Sequence, residues 1–372
     1  MKVLLLGGGL QALAFGEALY GHDNMELSVL TDEYDVSHSR FFHNVYGTGN
    51  QIIGDALENV LKSTKIDIVV PMGDVSAVYL SKNKNVIEKN YGVYCAVANY
   101  EILSLVADKG QFMSFCESND IPHPKTAKLT ENTLEEAAQK VGFPSLIKPN
   151  VSVGAKGIVK VENRQDLLSH WKNVNDKYGS CTLQEFIDNQ DYYFNVMIYR
   201  NRHGICEKAA VIKIVRMYPV KAGSSCCCIS VENVELIGIC SKVLEKLDWI
   251  GMADFDVLQR KDNGEYKIIE VNPRVPASLR AATASGISFP SMIVNDAFDK
   301  PYEVPNYRTG VVLRYMGLDL MWLIKSKRLF KAKPSWFRFF GKNIYYQDIY
   351  KKDVSTWYSW IVTGIRKLVK HS

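Results

Sequence analysis

Residues 267–280, KIIEVNPRVPASLR, carry the pattern that decides the fold of this chain. The first part predicts a short β-strand, because it is rich in β-branched apolar residues. On a strand, Glu270 and Asn272 point to the same face, since they are two residues apart. The stretch therefore presents a carboxylate and an amide oxygen side by side.

A second strand is predicted upstream, in GMADFDVLQ at residues 251–259, where Asp256 lies 14 residues before Glu270. The connection RKDNGE contains an Asn-Gly pair, which is typical of a hairpin turn. Asp256 and Glu270 are therefore expected on adjacent antiparallel strands, with Asn272 nearby. Hard oxygen ligands of this kind suit Mg²⁺ bound together with nucleotide phosphates. The alternative is a surface hairpin whose two acidic residues only happen to face each other.

The composition of the 372-residue chain is that of a soluble globular protein, and its length allows two or three domains. No apolar run approaches the roughly 18 residues of a membrane-spanning helix. Met1 and Lys2 lead directly into a strand, so no secretory signal is predicted and a cytoplasmic location is expected. Neighbours in the run Cys226–Cys228 would point to opposite faces of a strand, which favours reduced thiols over a metal site.

The first part of the chain predicts a doubly wound α/β domain that closes near residue 98. An apolar strand at residues 2–6 runs into Gly7–Gly9, then a helix and a second strand. A further buried strand, IDIVVPMGD at 66–74, ends in residues that open α/β sheets place at ligand sites. The glycine turn lacks the third glycine of the dinucleotide motif. A nicotinamide oxidoreductase therefore stays as a weaker alternative.

Two lysines are candidates for phosphate contacts. Lys109 lies in a predicted helix, where a solvated surface lysine is the simpler interpretation. Lys148 ends the strand SLIKP and precedes a flexible loop that contains Ser152, Gly154 and Gly157. Backbone N–H groups of such a loop approach phosphates closely, and the ammonium group supplies a point charge. The spacing excludes the P-loop motif, and an ordinary glycine-rich hairpin is the alternative.

The segment TLQEFIDNQDYYFNVMIY, residues 182–199, predicts two strands and a connection. Gln184 and Glu185 precede an apolar pair, and Asp191 follows seven residues after Gln184. An adenine ring needs backbone hydrogen bonds along its edge and apolar cover on its faces, and a ribose needs a carboxylate. By itself the segment is only a plausible hairpin.

In this order, the segments resemble the ATP-grasp superfamily, and in particular carboxylate–amine ligases and carbamoyl phosphate synthase large-subunit-like proteins. IIEVNPR is similar to the second metal-binding strand of that family. The resemblance covers roughly residues 1–305 and implies an α/β fold with α+β grasp lobes. The implied units are a Rossmann-like pre-ATP-grasp domain (1–98), an ATP-grasp domain (99–305) with a small lobe (about 115–182) and a large lobe (about 183–305), and a basic aromatic extension (306–372).

The resemblance also implies roles for single residues. Those that match the ATP-binding positions are Lys109 and Lys148 (α- and β-phosphates), Ser152, Gly154 and Gly157 (covering loop), Gln184 (adenine amine), Glu185 and Ile187 (backbone contacts) and Asp191 (ribose). Those that match the metal positions are Asp256, Glu270 and Asn272, for Mg²⁺ with Mn²⁺ as a possible substitute. The cofactors implied are thus ATP and a divalent cation.

The family chemistry implies that a substrate carboxylate attacks the γ-phosphoryl group, which gives an acyl phosphate and ADP. An amine then displaces phosphate and forms an amide. Arg216, from the basic segment at residues 211–225, is predicted to neutralise the transferred phosphoryl group, and Arg274 to face the reacting groups. Ser278 and Arg280 are predicted to line the substrate cleft. For Arg280 a structural salt bridge is an equal alternative.

The sequence departs from one branch of the family. The dipeptide-forming D-alanine ligases have an arginine two residues before the first metal carboxylate, where this chain has Asp254. Its metal strand also ends in NPR instead of NTxPG. D-Alanyl–D-alanine synthesis is therefore not expected. The chain is also too short for a complete biotin carboxylase or carbamoyl phosphate synthase.

The extension concentrates charge and aromatic residues. From Arg308 onward it has 14 Lys and Arg against 3 Asp and Glu, and it holds four of the six tryptophans. One interpretation is a surface that docks on an anionic membrane face or a membrane-bound assembly. The other is a helical cap or homodimer contact. Nucleic-acid binding is not expected, because no recognition module is present.

The function predicted from the sequence is an ADP-forming carboxylate–amine ligase that acts on small molecules. It would serve peptide-like metabolite synthesis or cell-surface polysaccharide modification. The alternative from another class is a nucleotide-binding regulatory or scaffold protein with a decayed active site. The complete set of Asp256, Glu270 and Asn272 speaks against decay.

Overall fold

The computed structural model describes residues 1–22, 24–49, 51–152, 155–220, 223–302, 305–326, 328–356 and 358. Within these ranges the chain forms three β-sheets. None of the helices in the described ranges is long and apolar enough to cross a membrane.

A five-stranded parallel sheet forms the N-terminal unit. Its strands are β1 (Lys2–Leu6), β2 (Glu26–Leu30), β3 (Asn44–Tyr46), β4 (Ile68–Pro71) and β5 (Tyr94–Cys95), in the spatial order β3-β2-β1-β4-β5. The helices around it are α1 (Gly9–Leu19), α2 (Tyr34–Ser37), α3 (Ile53–Ser63) and α4 (Asp74–Tyr91). Leu4 and Leu5 are both fully buried although they point to opposite faces, because helices cover both sides of a parallel sheet. The doubly wound prediction is confirmed.

The glycine turn after β1 holds a carboxylate of the protein itself. The backbone N–H of Gly9 donates to Glu33 Oε2 at 2.7 Å. A Cβ atom at Gly8 would lie 2.7 Å from Glu33 Cδ, so the glycine allows this close approach. Glu33 thus occupies the helix N-terminus at which a dinucleotide would place its pyrophosphate. This geometry opposes the nicotinamide alternative.

Two short helices form where the sequence predicts the helix that contains Lys109. They are α5 (Tyr100–Ala107) and α6 (Lys109–Ser118). Asp108 adopts an extended conformation between them, and its side chain caps α6 by accepting from the backbone N–H of Gln111 at 2.9 Å. The break places Lys109 at the first position of α6.

A four-stranded antiparallel sheet follows, in the order β6-β9-β7-β8. Its strands are β6 (Thr126–Leu129), β7 (Ser145–Pro149), β8 (Val159–Val161) and β9 (Cys181–Glu185), and its helices are α7 (Leu134–Val141) and α8 (Arg164–Tyr178). This unit contains most of the residues predicted for the small lobe. The expected lobe boundary near residue 182 falls inside β9, since that strand pairs with β6 and β7 through Glu185.

A seven-stranded sheet forms the large lobe. Its strands are β10 (Tyr193–Arg200), β11 (Cys206–Tyr218), β12 (Ser224–Val231), β13 (Gly251–Gln259), β14 (Tyr266–Asn272), β15 (Val312–Arg314) and β16 (Ile344–Tyr346), in the order β14-β13-β10-β11-β12-β15-β16. The remaining helices are α9 (Val234–Lys246), α10 (Leu279–Ala284), α11 (Phe289–Ala297) and α12 (Met316–Ser326), followed by a 3₁₀ turn at Leu329–Lys331. One hydrophobic cluster joins this lobe to the N-terminal unit, with Phe15 of α1 and Met197 of β10 both fully buried in it.

The C-terminal extension does not start a separate unit at residue 306. Its strand β15 pairs with β12, so the first part of the extension completes the large-lobe sheet. A buried ion-pair cluster fixes it there: Asp319 of α12 accepts from Arg216 of β11 at 2.6 and 2.8 Å and from Arg314 of β15 at 2.8 Å. All three residues are at most 2% exposed. Long-range pairing of this kind leaves no local signal in the sequence.

We predict that Asp319→Ala lowers the free energy of unfolding by about 3–5 kcal/mol, because it leaves two buried guanidinium groups without their shared carboxylate. Urea unfolding of the full chain measures the change. Glu135→Ala is the matched control, since Glu135 pairs with Arg164 at the surface, and its unfolding midpoint should match that of the parent protein. Equal midpoints for all three proteins would contradict the structural role of the cluster.

Candidate active site

The hairpin of β13 and β14 brings four polar side chains to one face of the large-lobe sheet. Asp256 lies opposite Glu270, and Asp254 lies opposite Asn272. The residues between them point the other way, since Phe255 and its neighbours belong to the core on the opposite face. The predicted pairing of the two carboxylates across a hairpin is confirmed.

A third strand adds an amide that the sequence analysis did not identify. Asn195 of β10 lies opposite Asp256 and donates from Nδ2 to Asp256 Oδ1. Its own Oδ1 accepts from the Ser278 hydroxyl at 3.4 Å, so Ser278 joins the same polar cluster. The signal was present in the sequence, because Asn195 is the polar residue within the apolar strand YFNVMIY.

The carboxylates of this cluster lie close enough to raise one another's pKa values. Burial raises the pKa of Asp256 well above its usual value, and the nearby Asp254 and Glu270 raise it further. Burial likewise raises the pKa of Asp254 above its usual value. Asp254 is 3% exposed, and its Oδ1 has no hydrogen-bond partner among the described residues. Desolvated oxygen donors with unused acceptor capacity fit a hard divalent cation.

Two lysines, one at the start of α6 and one in β7, lie beside this cluster. Lys109 Nζ lies 3.5 Å from Glu270 Oε2 and donates to the Ser152 carbonyl at 3.0 Å. Lys148 Nζ donates to Gln184 Oε1 at 2.5 Å. Burial lowers the pKa of Lys148 to about 8, against the opposing effect of the neighbouring Glu270. The structure thus brings both predicted phosphate-binding lysines next to the predicted metal carboxylates.

The loop after Lys148 is shaped by close packing. A Cβ atom at Gly157 would lie 2.8 Å from side-chain atoms of both Pro149 and Tyr178, and φ is +78°, so the position requires glycine. Ser152 Oγ and Asn150 Oδ1 are buried and lack a hydrogen-bond partner among the described residues. Unpaired polar atoms at this place fit a polar ligand. Gly154 lies outside the described residues.

Most of the side chains expected around adenine and ribose already have hydrogen-bond partners within the protein. Gln184 donates to Thr126 Oγ1 at 3.2 Å in addition to accepting from Lys148. Glu185 Oε1 accepts from Arg260 at 2.5 Å, and Ile187 is buried. Because these side chains are engaged, the backbone of residues 184–187 is the candidate for hydrogen bonds to the edge of an adenine ring.

Asp191 meets a residue of the C-terminal extension. Its Oδ2 accepts from Arg328 Nη1 at 2.5 Å, and both side chains are largely exposed. An exposed pair of this kind is weak. The extension therefore lies beside the position expected for the ribose.

Arg274 links the metal hairpin to the N-terminal unit. Its Nε donates at 2.9 Å to Asp74, the first residue of α4, directly beyond the carboxyl end of β4. Ligands of open α/β sheets bind at this edge. The residues PMGD at the strand end are recognisable in the sequence, but the contact of Asp74 with Arg274 is not, because the two are 200 residues apart.

Two other predicted site residues are held in structural ion pairs. Arg280 binds both carboxylate oxygens of Glu17 at 2.7 Å and stacks 3.9 Å from the centre of the Tyr350 ring. The ion pair with Glu17 is the structural salt bridge that the sequence left open as the alternative role of Arg280. Arg216 donates to Asp319 and, at 2.9 Å, to the Pro334 carbonyl. The catalytic role of Arg216 stays a prediction, and its contacts place it in the scaffold of the extension.

Comparisons with known proteins agree with this geometry. Residues 106–278 match the family model of the ATP-grasp domain. The D-aspartate ligase of Enterococcus faecium (strain Aus0004) is 23% identical over 279 residues, which are 68% of this chain and 64% of that protein. The carbamoyl phosphate synthase large chain of Pseudothermotoga lettingae is 23% identical over 272 residues, which are 69% of this chain and 23% of that protein. The chain thus spans less than two thirds of either relative.

Among solved structures, the fold is similar to the biotin carboxylase domain of the 2-oxoglutarate carboxylase of Hydrogenobacter thermophilus, crystallised as a dimer with MgADP. The TM-score is 0.68 at 13% identity, over 84% of this chain and 73% of that one. At this identity the likeness concerns the fold. It confirms the expected combination of a parallel N-terminal sheet with antiparallel lobes.

We predict that the affinity for Mg-ATP falls as the pH rises through about 8. The pKa of Lys148 is lowered to about 8, so above this pH the free protein loses the ammonium charge that a polyphosphate needs. Calorimetric titration from about pH 7 to about pH 9.5 measures the dissociation constant. In Lys148→Arg the side chain stays charged, so the pH dependence should disappear. A flat profile for the parent protein would contradict this role of Lys148.

Proposed function

Because the chain contains an ATP-grasp domain at residues 106–278, we propose that it is an ADP-forming ligase that joins a carboxylate to an amine. One observation carries the proposal: the buried Lys148 and the partly buried Lys109 lie beside a hairpin of opposed carboxylates. Lys109 Nζ is 3.5 Å from Glu270 Oε2, and Asp256 lies opposite Glu270. Alternating charges of this kind match a metal–polyphosphate complex.

The lysines and the carboxylates of the cluster bind different parts of the metal–nucleotide complex. Lys148 and Lys109 bind nucleotide phosphates, and the Ser152–Gly157 loop covers them. Asp256, Glu270 and Asn272 would hold Mg²⁺, which would neutralise the negative charge of the phosphates. Asn195 keeps Asp256 in place through its amide.

The reaction then proceeds in two transfers. A carboxylate oxygen of the substrate attacks the γ-phosphorus, the bond to the bridging oxygen breaks, and ADP leaves. The amine nitrogen attacks the carbonyl carbon of the acyl phosphate, phosphate leaves, and the nitrogen loses a proton. Arg274, which follows the metal strand, pairs with the carboxylate or with the transferring phosphoryl group, since guanidinium binds either in two-point geometry.

The substrates proposed are small molecules. The name of the Enterococcus relative makes D-aspartate the first acid to test. Asp74 lies beside Arg274 at the sheet edge, and Asp254 adds a second acidic group near it. An acidic surround of this kind suits an acceptor with a cationic amine. The product would be a peptide-like metabolite or a modified precursor of a cell-surface polysaccharide.

We predict that the purified chain forms ADP and a hydroxamate when it is given Mg-ATP, hydroxylamine and a pool of carboxylic acids that includes D-aspartate. Hydroxylamine replaces the unknown amine and traps the acyl phosphate. Glu270→Gln should abolish both products, because it removes a metal carboxylate. The control Glu265→Gln changes an exposed acid near the same hairpin and should retain full turnover. Mass spectrometry and a nucleotide assay measure the products.

Two results would contradict the proposal. Release of AMP and pyrophosphate would indicate an adenylate instead of an acyl phosphate. Unchanged turnover of Glu270→Gln would show that the hairpin carboxylates do not hold the reacting metal complex.

A further inference from the structure

The C-terminal extension presents large apolar side chains to solvent. Ile324 at the end of α12 is 62% exposed, and three phenylalanines follow it: Phe330 at 89%, Phe337 at 54% and Phe340 at 90%. The rings of Phe330 and Phe337 are neighbours, with centroids 6.3 Å apart. Exposed apolar side chains that adjoin and are rimmed by polar residues often mark an interaction site. We call these four residues, together with the basic residues among them, the aromatic–basic surface.

The charge of this segment has a single sign. Residues 320–342 contain seven Lys and Arg and neither Asp nor Glu. The described basic residues among them are Lys325, Arg328, Lys331, Lys333, Arg338 and Lys342. The acidic residues that flank the segment do not offset this charge at the surface, because Asp319, Asp348 and Asp353 are each at most 6% exposed.

The scaffold under the surface is firmly attached, so the exposure of the rings does not come from a loose end. Arg216 donates to the Pro334 carbonyl at 2.9 Å, and Arg314 donates to the Arg338 carbonyl at 3.0 Å. Trp336 packs edge-on against Phe337 and Phe339. The buried arginines therefore hold this backbone in place while Phe337 and Phe340 remain outside.

We propose that the aromatic–basic surface binds the face of an anionic lipid bilayer. Phenylalanine rings enter the boundary between head groups and acyl chains, and lysine and arginine heads contact acidic head groups. The combination of exposed rings with one sign of charge favours this partner. A second copy of the chain would bring like charges together, and an apolar protein groove would leave the cations unpaired.

The aromatic–basic surface lies next to the proposed nucleotide cleft. Arg328, at its edge, donates to Asp191 at 2.5 Å. A docked molecule would therefore hold the Asp191 end of its nucleotide cleft beside the membrane. Binding itself requires no ATP, so the proposal does not depend on the ligase reaction.

The test is sedimentation of the full chain with vesicles of phosphatidylcholine alone or with about 30% phosphatidylserine, without nucleotide. We expect at least about tenfold stronger binding to the anionic vesicles, and weaker binding at high salt. The variant Phe330→Ser/Phe340→Ser should lose about tenfold or more of this affinity, and Lys331→Gln/Lys333→Gln should also weaken it. These side chains are exposed, so the thermal midpoints should stay unchanged.

Matched controls distinguish the effect of this surface on vesicle binding from the effect of any exposed apolar or basic side chain. Val234→Ser removes an apolar side chain that is 73% exposed on α9, and Lys140→Gln removes a surface charge that pairs with Glu117. Both should bind vesicles as the parent protein does. Equal binding to neutral and anionic vesicles would overturn the proposal, as would parent-like binding of the phenylalanine variant.

Two further outcomes would assign the surface to another partner. Failure to bind vesicles together with tight, salt-sensitive binding of an RNA oligonucleotide that the lysine variant loses would indicate a nucleic-acid surface. Failure to bind vesicles together with a dimer in light scattering that the phenylalanine variant converts to a monomer would indicate self-association. Either result would overturn the membrane proposal.

Discussion

Three carboxylates crowded together at a partly buried place are the constraint on which the site depends. Asp256 and Glu270 face each other across a hairpin, and Asp254 lies on the same side. Burial opposes ionisation of Asp254 and Asp256, as their raised pKa values show. Such a group is tolerated only with cations close by. Lys109 supplies one of them at 3.5 Å from Glu270, Lys148 and Arg274 lie near the same carboxylates, and a metal–nucleotide complex would add further positive charge.

The surrounding scaffold is built from ion pairs between distant parts of the chain. Arg274 joins the metal hairpin to Asp74 of the parallel-sheet unit. Arg280 joins α10 to Glu17 of α1, and its guanidinium also contacts the Ile349 carbonyl of the extension. Each pair connects units that the chain order separates, and a shared hydrophobic cluster buries the area around them. The cleft is therefore bounded by three parts of the protein whose relative positions are fixed.

The sequence was sufficient for features that depend on neighbouring residues. The hairpin register of Asp256 and Glu270 followed from strand patterns and an Asn-Gly turn, and the parallel sheet followed from buried apolar runs. Contacts across long separations were missed. Asn195, Asp74 and the pairing of β15 with β12 are set by tertiary packing. Arg216 shows the same limit. Its position in a basic segment does not reveal that it forms a buried ion pair with Asp319, which lies 103 residues further along the chain.

The central claim is that the carboxylate hairpin and the two lysines hold a metal–nucleotide complex. Crystals of the full chain grown with Mn²⁺ and ADP test it most directly, through anomalous diffraction at the manganese edge. We expect a manganese peak bounded by Asp256, Glu270 and Asn272, with the diphosphate against Lys148. Manganese bound elsewhere, or the nucleotide at the Gly7–Gly9 turn, would contradict it.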